Sequence, residues 1–375
     1  MKTILIVGGR LQGIEIAYLA RKAGYYTLLL DKDKQAPAQH LVDQYVTGDA
    51  LDDNLLRNLF ARADVVIPAL ENMAVLKRLV YLSQVMNKRL LFDEAAYNIS
   101  SSKEKSNALF SRLSLPIPQK YPDCPFPVIV KPDDLSGSAG VLKFDSREQI
   151  DHYLANQKKD LVVQEFIEGP SYSLEVVGNG QSYICPQITQ IIVDNDYDCK
   201  RVVAPAQVSQ DIINQFEEIS NQLFNELKIK GIFDIEVILH HGLLKILEID
   251  ARFPSQTPIA IYHATGINMV KVMVEEDYSC REFPKGSHVC LYQQIQVDRQ
   301  GIAVLGEHIM SDCRDLKVME GFFGADVAIT NYLPGCEKFN SIIIITAESY
   351  KSAYQKFEEV QQEILKSLPL SAVAI

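Results

Sequence analysis

The sequence lacks the features that would place it in a membrane, in a secretory pathway or on nucleic acid. Its longest aliphatic run, Ile342–Ile345, is far shorter than the ~20 apolar residues of a membrane helix. The first residues show no long apolar segment before a small-residue cleavage site, so we expect no signal peptide. Acidic residues outnumber Lys and Arg by 48 to 37 and no basic run is present, which disfavours nucleic acid as a partner.

The cysteines argue against a disulfide-stabilised protein and against a zinc-binding protein. There are seven, an odd number, and none forms a CxxC pair. We therefore predict free thiols, no zinc site and a reducing cytoplasm as the location. The length of 375 residues allows two to three domains, and the hydrophobic fraction of 47% is sufficient for a large core.

The first part of the chain alternates strands and helices. Residues 3–30 have the pattern strand, glycine turn, helix and strand, which is a βαβ unit. Further strands are predicted at residues 63–69 and 89–92, on either side of a helix at Met73–Val85. This order predicts a small doubly wound parallel sheet that binds ligands at the carboxyl ends of its strands.

The composition changes after Asn98. A predicted helix at Lys103–Arg112 is followed by five prolines within residues 116–127, which indicates a domain boundary. The following strands and helices, including one long strand at Tyr183–Val193, predict an α+β module. Residues 286–375 contain further strands and a final helix but no chemical motif that we identify.

Acidic side chains cluster on a predicted pair of antiparallel strands. Glu248 and Asp250 alternate with apolar residues on the second strand and so point the same way, and Asp234 on the first strand can lie opposite them. Carboxylates brought together repel one another unless cations neutralise them, and their oxygens are ligands that Mg²⁺ prefers. Arg252 lies on the same face and can reach an anionic substrate. The alternative is a solvated acidic strand face.

Two lysines and a small-residue loop suggest a phosphate site. Lys131 ends an apolar strand and precedes a loop that contains Ser136, Gly137 and Ser138, whose backbone N–H groups a ligand can approach closely. Lys103 is the second lysine, and either lysine alone is typical of a protein surface. The two lysines together with the carboxylates favour a phosphate-binding role.

A strand that opens into a turn offers backbone groups to a base. Glu165, Phe166 and Ile167 precede Gly169-Pro170, and their N–H and C=O edge could bind adenine. The same pattern fits any junction of a strand and a turn, so it carries weight only alongside the other motifs.

The order of these motifs resembles that of the ATP-grasp carboxylate–amine ligases. The resemblance covers residues from about 100 to 280, and the preceding βαβ module is similar to the family's pre-grasp domain. It implies an α/β protein with an ATP-grasp fold and an N-terminal doubly wound parallel-sheet domain. The implied domains are a pre-ATP-grasp Rossmann-like domain at 1–97, a nucleotide-binding lobe or lid at 98–190, and a metal and substrate lobe at 191–375.

The resemblance also implies the cofactors and the role of each motif. ATP and Mg²⁺ are the expected cofactors, and the protein is expected to be an ADP-forming ligase that needs no covalent protein nucleophile. The implied roles are phosphate binding for Lys103 and Lys131 with Ser136, Gly137 and Ser138 closing over the nucleotide, nucleotide binding for Glu165, Phe166 and Ile167, metal binding for Asp234, Glu248 and Asp250, and catalysis for Arg252 and Lys131.

Within this family, a subgroup shares further segments with the chain. Residues 8–13, 91–93, 173–178, 197–199 and 248–258 are similar to the ligases of pyrrolysine biosynthesis, which join 3-methyl-D-ornithine to L-lysine. This implies activation of the first substrate as an acyl phosphate and capture by the side-chain amine of lysine. A homodimer is a further expectation, because related ligases are often dimers. The implied substrate contacts are Leu11, Gln12, Glu71 and Asn72 for lysine, Glu175 and Asp198 for ammonium groups, and Arg252, Ser255, Gln256 and Thr257 for the amino-acid backbone.

The chain departs from the family pattern at two positions. Ser171 stands where many ATP-grasp enzymes carry an acidic residue that binds the ribose. Arg10 replaces the lysine expected in the first turn, which keeps the charge but changes the geometry.

Alternative functions stay open at this point. The ligase could act on another pair of carboxylate and amine, or the chain could bind a nucleotide without catalysis. A NAD-dependent oxidoreductase would use the glycine turn at residues 8–13 with Asp31, but the spacing is Gly-Gly-x-x-x-Gly and not G-x-G-x-x-G. Asn72 and Glu71 could also simply cap the helix that begins at Met73.

Overall fold

A parallel sheet forms the N-terminal part of the protein. The computed structural model describes residues 1–133, 139–157, 160–278 and 288–368. Five parallel strands lie in the order β3-β2-β1-β4-β5, which confirms the predicted doubly wound sheet. The elements are β1 (Thr3–Val7), α1 (Leu11–Lys22), β2 (Tyr26–Asp31), a 3-10 helix (Pro37–Leu41), β3 (Gln44–Thr47), α2 (Asp53–Arg62), β4 (Val65–Pro68), α3 (Met73–Val85) and β5 (Arg89–Leu90).

Two short helices lead into a small antiparallel sheet, which we call the lid. The helices begin at side-chain caps, since Asp93 accepts from the N–H of Ala96 and Ser102 from that of Lys105. The lid strands have the order β7-β6-β8. The predicted loop residues Ser136, Gly137 and Ser138 lie outside the described residues. The elements are α4 (Glu94–Ser100), α5 (Lys103–Arg112), β6 (Val128–Pro132), β7 (Leu142–Phe144), α6 (Arg147–Leu154) and β8 (Leu161–Glu165).

The rest of the described chain builds one large antiparallel sheet. Its main path is β14-β13-β9-β11-β12-β15-β19-β18-β17, with β10 paired to β9 and β16 to β15. The elements are β9 (Ser171–Asn179), β10 (Tyr183–Ile184), β11 (Ile188–Val193), β12 (Cys199–Ala204), α7 (Gln210–Leu227), β13 (Lys230–His240), β14 (Leu243–Asp250), α8 (Thr257–Thr265), α9 (Met269–Glu275), β15 (Val289–Asp298), β16 (Gly301–Val304), α10 (His308–Ser311), β17 (Lys317–Glu320), a 3-10 helix (Phe322–Gly324), β18 (Val327–Thr330), β19 (Phe339–Ala347) and α11 (Tyr350–Ser367).

The C-terminal strands continue this sheet. β12 pairs with β15, so the strands beyond residue 286 belong to the same continuous sheet as β9 to β14. The domain boundary predicted at 190/191 falls inside β11, a strand with partners on both sides, so the sheet does not divide there. The division into three domains otherwise stays a prediction.

One hydrophobic core connects the N-terminal sheet with the large sheet. It contains buried residues from both, such as Ile16 of α1, Ile259 of α8 and Ile344 of β19. The helices α1, α8 and α9 therefore lie between the two sheets and hold them together. Within the described part of the chain, no helix has the length and apolar character needed to cross a membrane.

Candidate active site

Two cavities adjoin on one face of the β13–β14 hairpin. The first, of about 240 Å³, lies between the lid and the hairpin. The second, of about 120 Å³, lies between the hairpin and the segment that precedes α8. Glu236 and Glu248 line both cavities, so these two carboxylates stand at the border.

The first cavity has apolar walls and a charged end. Its lining includes the apolar side chains of Ile129 and Ile167 from the lid side and of Leu247 from the hairpin. The predicted residues Lys103, Lys131, Glu165, Phe166 and Ile167 all line it, as does Ser171. The Glu165 carboxylate accepts from the backbone N–H of Gln119 at 2.8 Å and so also fixes the neighbouring segment.

The carboxylates of the hairpin lie in register. Asp234 is opposite Asp250, and Glu236 is opposite Glu248. The structure thus brings together the three predicted metal ligands, Asp234, Glu248 and Asp250, and adds Glu236. The sequence reasoning missed Glu236, although its position two residues after Asp234 places it on the same strand face.

Burial and mutual repulsion favour protonation of this cluster. Burial, with the nearby charges of Glu248 and Asp250, raises the pKa of Glu236 to about 8. Burial raises the pKa of Asp250 to about 7, although Arg252 opposes the shift. The pKa of Asp234 is raised well above its usual range, first by burial and then by Glu236 and Asp250. The cluster therefore holds more negative charge than its surroundings stabilise.

Three cationic side chains border the cluster. The Nζ of Lys103 lies 3.4 Å from Oε2 of Glu248. Burial lowers the pKa of Lys131, against the attraction of Glu248. The Nε of Arg252 lies 2.6 Å from Oδ2 of Asp250 and 2.9 Å from Oε1 of Glu71. Arg252 thus connects the hairpin to the N-terminal domain.

The second cavity is polar and includes a residue from the C-terminal region. The Oγ of Ser255 and Nε2 of Gln256 donate to Oε2 of Glu307, at 2.7 and 2.6 Å. Sequence reasoning missed Glu307, because residues 286–375 contain no motif that marks it. Thr257 also lines this cavity, as do Arg252 and Asp198.

Glu175 is a fully buried carboxylate beside the acidic cluster. It is the ladder partner of Asp234 and accepts from the Oγ of Ser173 at 3.1 Å. Burial raises its pKa to about 7, although the hydrogen bond from Ser173 opposes the shift. This predicted ammonium-binding residue therefore lies next to the second cavity.

A separate group of potential metal ligands ties two loops together. Among the described residues, ligand atoms of Asp194, Asp198 and His308 all lie within 4.8 Å of one another. Asp198 Oδ2 lies 2.6 Å from Nδ1 of His308, and Asp194 Oδ2 accepts from the N–H of Gly306 at 3.1 Å. These contacts connect the β11–β12 loop to the segment that carries Glu307.

Some predicted lysine-binding residues have structural roles. Asn72 caps α3 by accepting from the N–H of Val75, as the structural alternative predicts. Leu11 packs against the hydrophobic core. Gln12 donates to Glu71 at 3.4 Å, so these two predicted residues do lie together.

The glycine turn at residues 8–13 makes contacts within the protein. Asp31, which a dinucleotide site would use, accepts from the N–H of Gly9 at 2.6 Å. Arg10 is exposed and lies 3.4 Å from Asp312. The oxidoreductase alternative therefore gains no support from this turn.

Comparison with known proteins agrees with the geometry. An ATP-grasp domain family matches residues 100–256. The 3-methyl-D-ornithine–L-lysine ligase of Methanosarcina barkeri is 36% identical over 321 residues, 83% of this chain and 84% of that protein. The protein of the same name from Methanosarcina acetivorans is 34% identical over 322 residues, covering 83% and 84%.

Solved structures show the same fold. The ADP complex of N5-carboxyaminoimidazole ribonucleotide synthetase has a TM-score of 0.74 at 15% identity and covers 98% of this chain and 97% of its own. The L-amino acid ligase from Bacillus licheniformis has a TM-score of 0.66 at 16% identity and covers 97% and 98%. The chain therefore belongs to the 3-methyl-D-ornithine–L-lysine ligase family of ATP-grasp enzymes and is an ATP-dependent carboxylate–amine ligase.

Proposed function

We propose that this ligase joins the carboxylate of 3-methyl-D-ornithine to the side-chain amine of L-lysine, giving 3-methyl-D-ornithyl-N6-L-lysine for pyrrolysine biosynthesis. The names of the Methanosarcina relatives support these substrates. The observation that carries the proposal is the border formed by Glu236 and Glu248 between a cavity with apolar walls and a polar one. Phosphoryl transfer from a nucleotide in the first to a carboxylate in the second would occur at that border.

ATP would occupy the first cavity. Its base would lie between Ile129 and Leu247, near the backbone of residues 165–167, and its phosphates would point toward Lys103 and Lys131. Burial makes both lysines effective partners, because few waters compete for their charge. Ser136, Gly137 and Ser138 would close over the nucleotide and exclude water.

The acidic cluster fits Mg²⁺. Four carboxylates in register supply hard oxygen ligands, and the raised pKa values of Asp234, Glu236 and Asp250 support a bound cation that keeps the cluster ionised. Glu248 and Asp250 with Asp234 would hold the metal, and Glu236 is an added candidate. Bound there, Mg²⁺ would neutralise charge on the transferred phosphoryl group.

The protein's own residues would align two successive reactions. A carboxylate oxygen of the first substrate attacks the γ-phosphorus of ATP, the bond to ADP breaks, and an acyl phosphate forms. The unprotonated lysine amine then attacks the acyl carbon and phosphate leaves. Arg252, oriented by Asp250 and Glu71, would stabilise the acyl phosphate and the tetrahedral intermediate.

The two amino acids would enter from different sides. Ser255, Gln256 and Thr257 would contact the first substrate, with Glu175 and Asp198 near its ammonium groups. L-Lysine would approach from the N-terminal domain past Leu11, Gln12, Glu71 and Asn72. Glu71 is the best placed of these, because it reaches Arg252.

We also propose a cytoplasmic homodimer. The unpaired cysteine pattern supports a reducing compartment. Light scattering of the purified ligase tests the dimer, since a monomer mass of 42.1 kDa would contradict it.

The substrates are tested by ADP release with ATP and Mg²⁺. D-Ornithine and 3-methyl-D-ornithine are each offered with and without L-lysine, and the products are weighed by mass spectrometry. A condensed product that needs both amino acids supports the proposal. ADP release with other pairs only would retain the ligase and refute these substrates.

A further inference from the structure

The segment before α8 contains a strained turn. Gln256 has φ of 72° and ψ of −52°, and the N–H of Thr257 donates to the C=O of Ser255 at 2.9 Å. This is a γ-turn of the rare, high-energy type. Such backbone persists only where the surroundings impose it, and it is concentrated at binding and catalytic sites.

Two carboxylates from distant parts of the chain hold this turn. On one side, Glu307 accepts from Ser255 and Gln256. On the other, Oε2 of Glu15 accepts from the N–H of Ile259 at the start of α8, and Tyr292 donates to its Oε1. The N-terminal domain and the C-terminal region therefore both fix the position of Gln256.

Glu307 also determines which way the Gln256 amide points. An ionised carboxylate only accepts hydrogen bonds, so the amide must present its NH₂ group to Glu307. Its Oε1 is then directed away. The residue is only 4% exposed and lines the second cavity, and this oxygen has no hydrogen-bond partner among the described residues.

A buried oxygen without a partner is costly unless a water in the cavity or a ligand supplies a donor, and a ligand that displaces the water must replace that donor. Carboxylate and phosphate groups have only acceptors and cannot satisfy it. An ammonium group has three donors, and the adjacent charge of Glu307 favours a cation.

We propose that Glu307 is a positioning residue that orients Gln256 so that its Oε1 binds an ammonium group of the diamino acid whose carboxylate is activated. This inference rests on the proposed function for the presence of that substrate, and it assigns a role to the C-terminal region. It places one ammonium between Gln256 and the acidic cluster.

The test exchanges the two side chains. Glu307→Gln allows the amide of Gln256 to rotate, and we expect the KM for D-ornithine to rise about 10- to 100-fold with the KM for ATP unchanged. Adding Gln256→Glu gives a double variant with the pair reversed and an acceptor again at position 256, and the KM should recover. Failure to recover, or an unchanged KM in Glu307→Gln, would overturn the inference.

Substrate analogues identify the ammonium. 5-Aminopentanoate lacks the α-amine and D-norvaline lacks the side-chain amine. We expect Glu307→Gln to leave the KM unchanged for the analogue that lacks the recognised amine, and to raise the KM for the other analogue. An equal penalty for D-ornithine and both analogues would show a general structural defect and refute the assignment.

Calorimetry separates this inference from the proposed function. Binding of D-ornithine and both analogues is measured in the presence of ADP and Mg²⁺, for the wild type and Glu307→Gln. If the wild type binds D-ornithine but makes no product with lysine, the proposed reaction is refuted. The ratio of the dissociation constants of Glu307→Gln and the wild type, compared between D-ornithine and the analogues, still decides the role of Glu307. A wild type that binds no D-ornithine refutes both.

Discussion

At the residue scale, the hairpin concentrates like charges away from water. Strand alternation predicts that Asp234, Glu248 and Asp250 share a face, and their register shows that they do. The same signal was sufficient to find Glu236. No sequence pattern could find Glu307, because its role depends on long-range contacts with Ser255 and Gln256.

Replacing Asp250 with Asn should stop the first reaction. The substitution removes a proposed metal ligand and the charge that orients Arg252, so we expect ADP formation to fall at least ~100-fold. The melting temperature should stay the same or rise, because one member of a repelling cluster is neutralised. Glu218→Gln, on the exposed face of α7, is the matched control. Undiminished ADP formation would contradict the metal assignment.

Glu15 should make stability depend on pH. Burial raises its pKa to about 8 in the folded protein, against the usual 4.5, so the folded state binds the proton more tightly than the unfolded state. The stabilisation is complete below about pH 4.5 and is lost as pH rises through about 8. When the pH is raised from about 5.5 to about 8.5, the melting temperature of the wild type should fall, and that of Glu15→Gln should fall less. The two decreases should differ by roughly 3 °C or more. Parallel curves for the two proteins would contradict this.

At the element scale, local signals determine which predictions succeed. α3 and α5 match the predicted helices because Asn72 and Ser102 cap them. The predicted strand at 183–193 is instead two strands, β10 and β11, separated at Pro186, which has no N–H for a ladder. β3 is missing from the sequence prediction because it is short and largely half-exposed.

The loop between β8 and β9 should be sensitive to one methyl group. A Cβ at Gly169 would lie 2.1 Å from the backbone oxygen of Leu239. Gly169→Ala should displace residues 167–169, which line the first cavity, and raise the KM for ATP about tenfold. Gly24→Ala, at φ of 77° with nothing within 4 Å, should lower the melting temperature without changing this KM. Equal KM values in both variants would contradict the close packing.

At the scale of the whole molecule, the site needs all parts of the chain. Glu71 comes from the N-terminal domain, the carboxylates from the hairpin and Glu307 from the C-terminal region. The ATP-grasp architecture was predictable because its motifs keep their order along the chain. The membership of β15–β19 in the same sheet was not, because antiparallel pairing over long separations leaves no local pattern.

Truncation should test whether the large sheet is one folding unit that includes the C-terminal strands. A chain that ends at Tyr278 loses β15, the partner of β12, and core residues such as Tyr292 and Ile344. We expect it to lack cooperative thermal unfolding, as followed by circular dichroism. A truncated protein that unfolds cooperatively and still binds ADP would show that the C-terminal region is an independent unit.

The central claim is that a carboxylate is activated by phosphoryl transfer at the border of the two cavities. The most direct measurement uses D-ornithine labelled with ¹⁸O in both carboxylate oxygens, together with ATP, Mg²⁺ and L-lysine. We predict that one labelled oxygen appears in the released phosphate and one remains in the amide product. Phosphate without label, alongside product formation, would show that no acyl phosphate forms and would contradict the account.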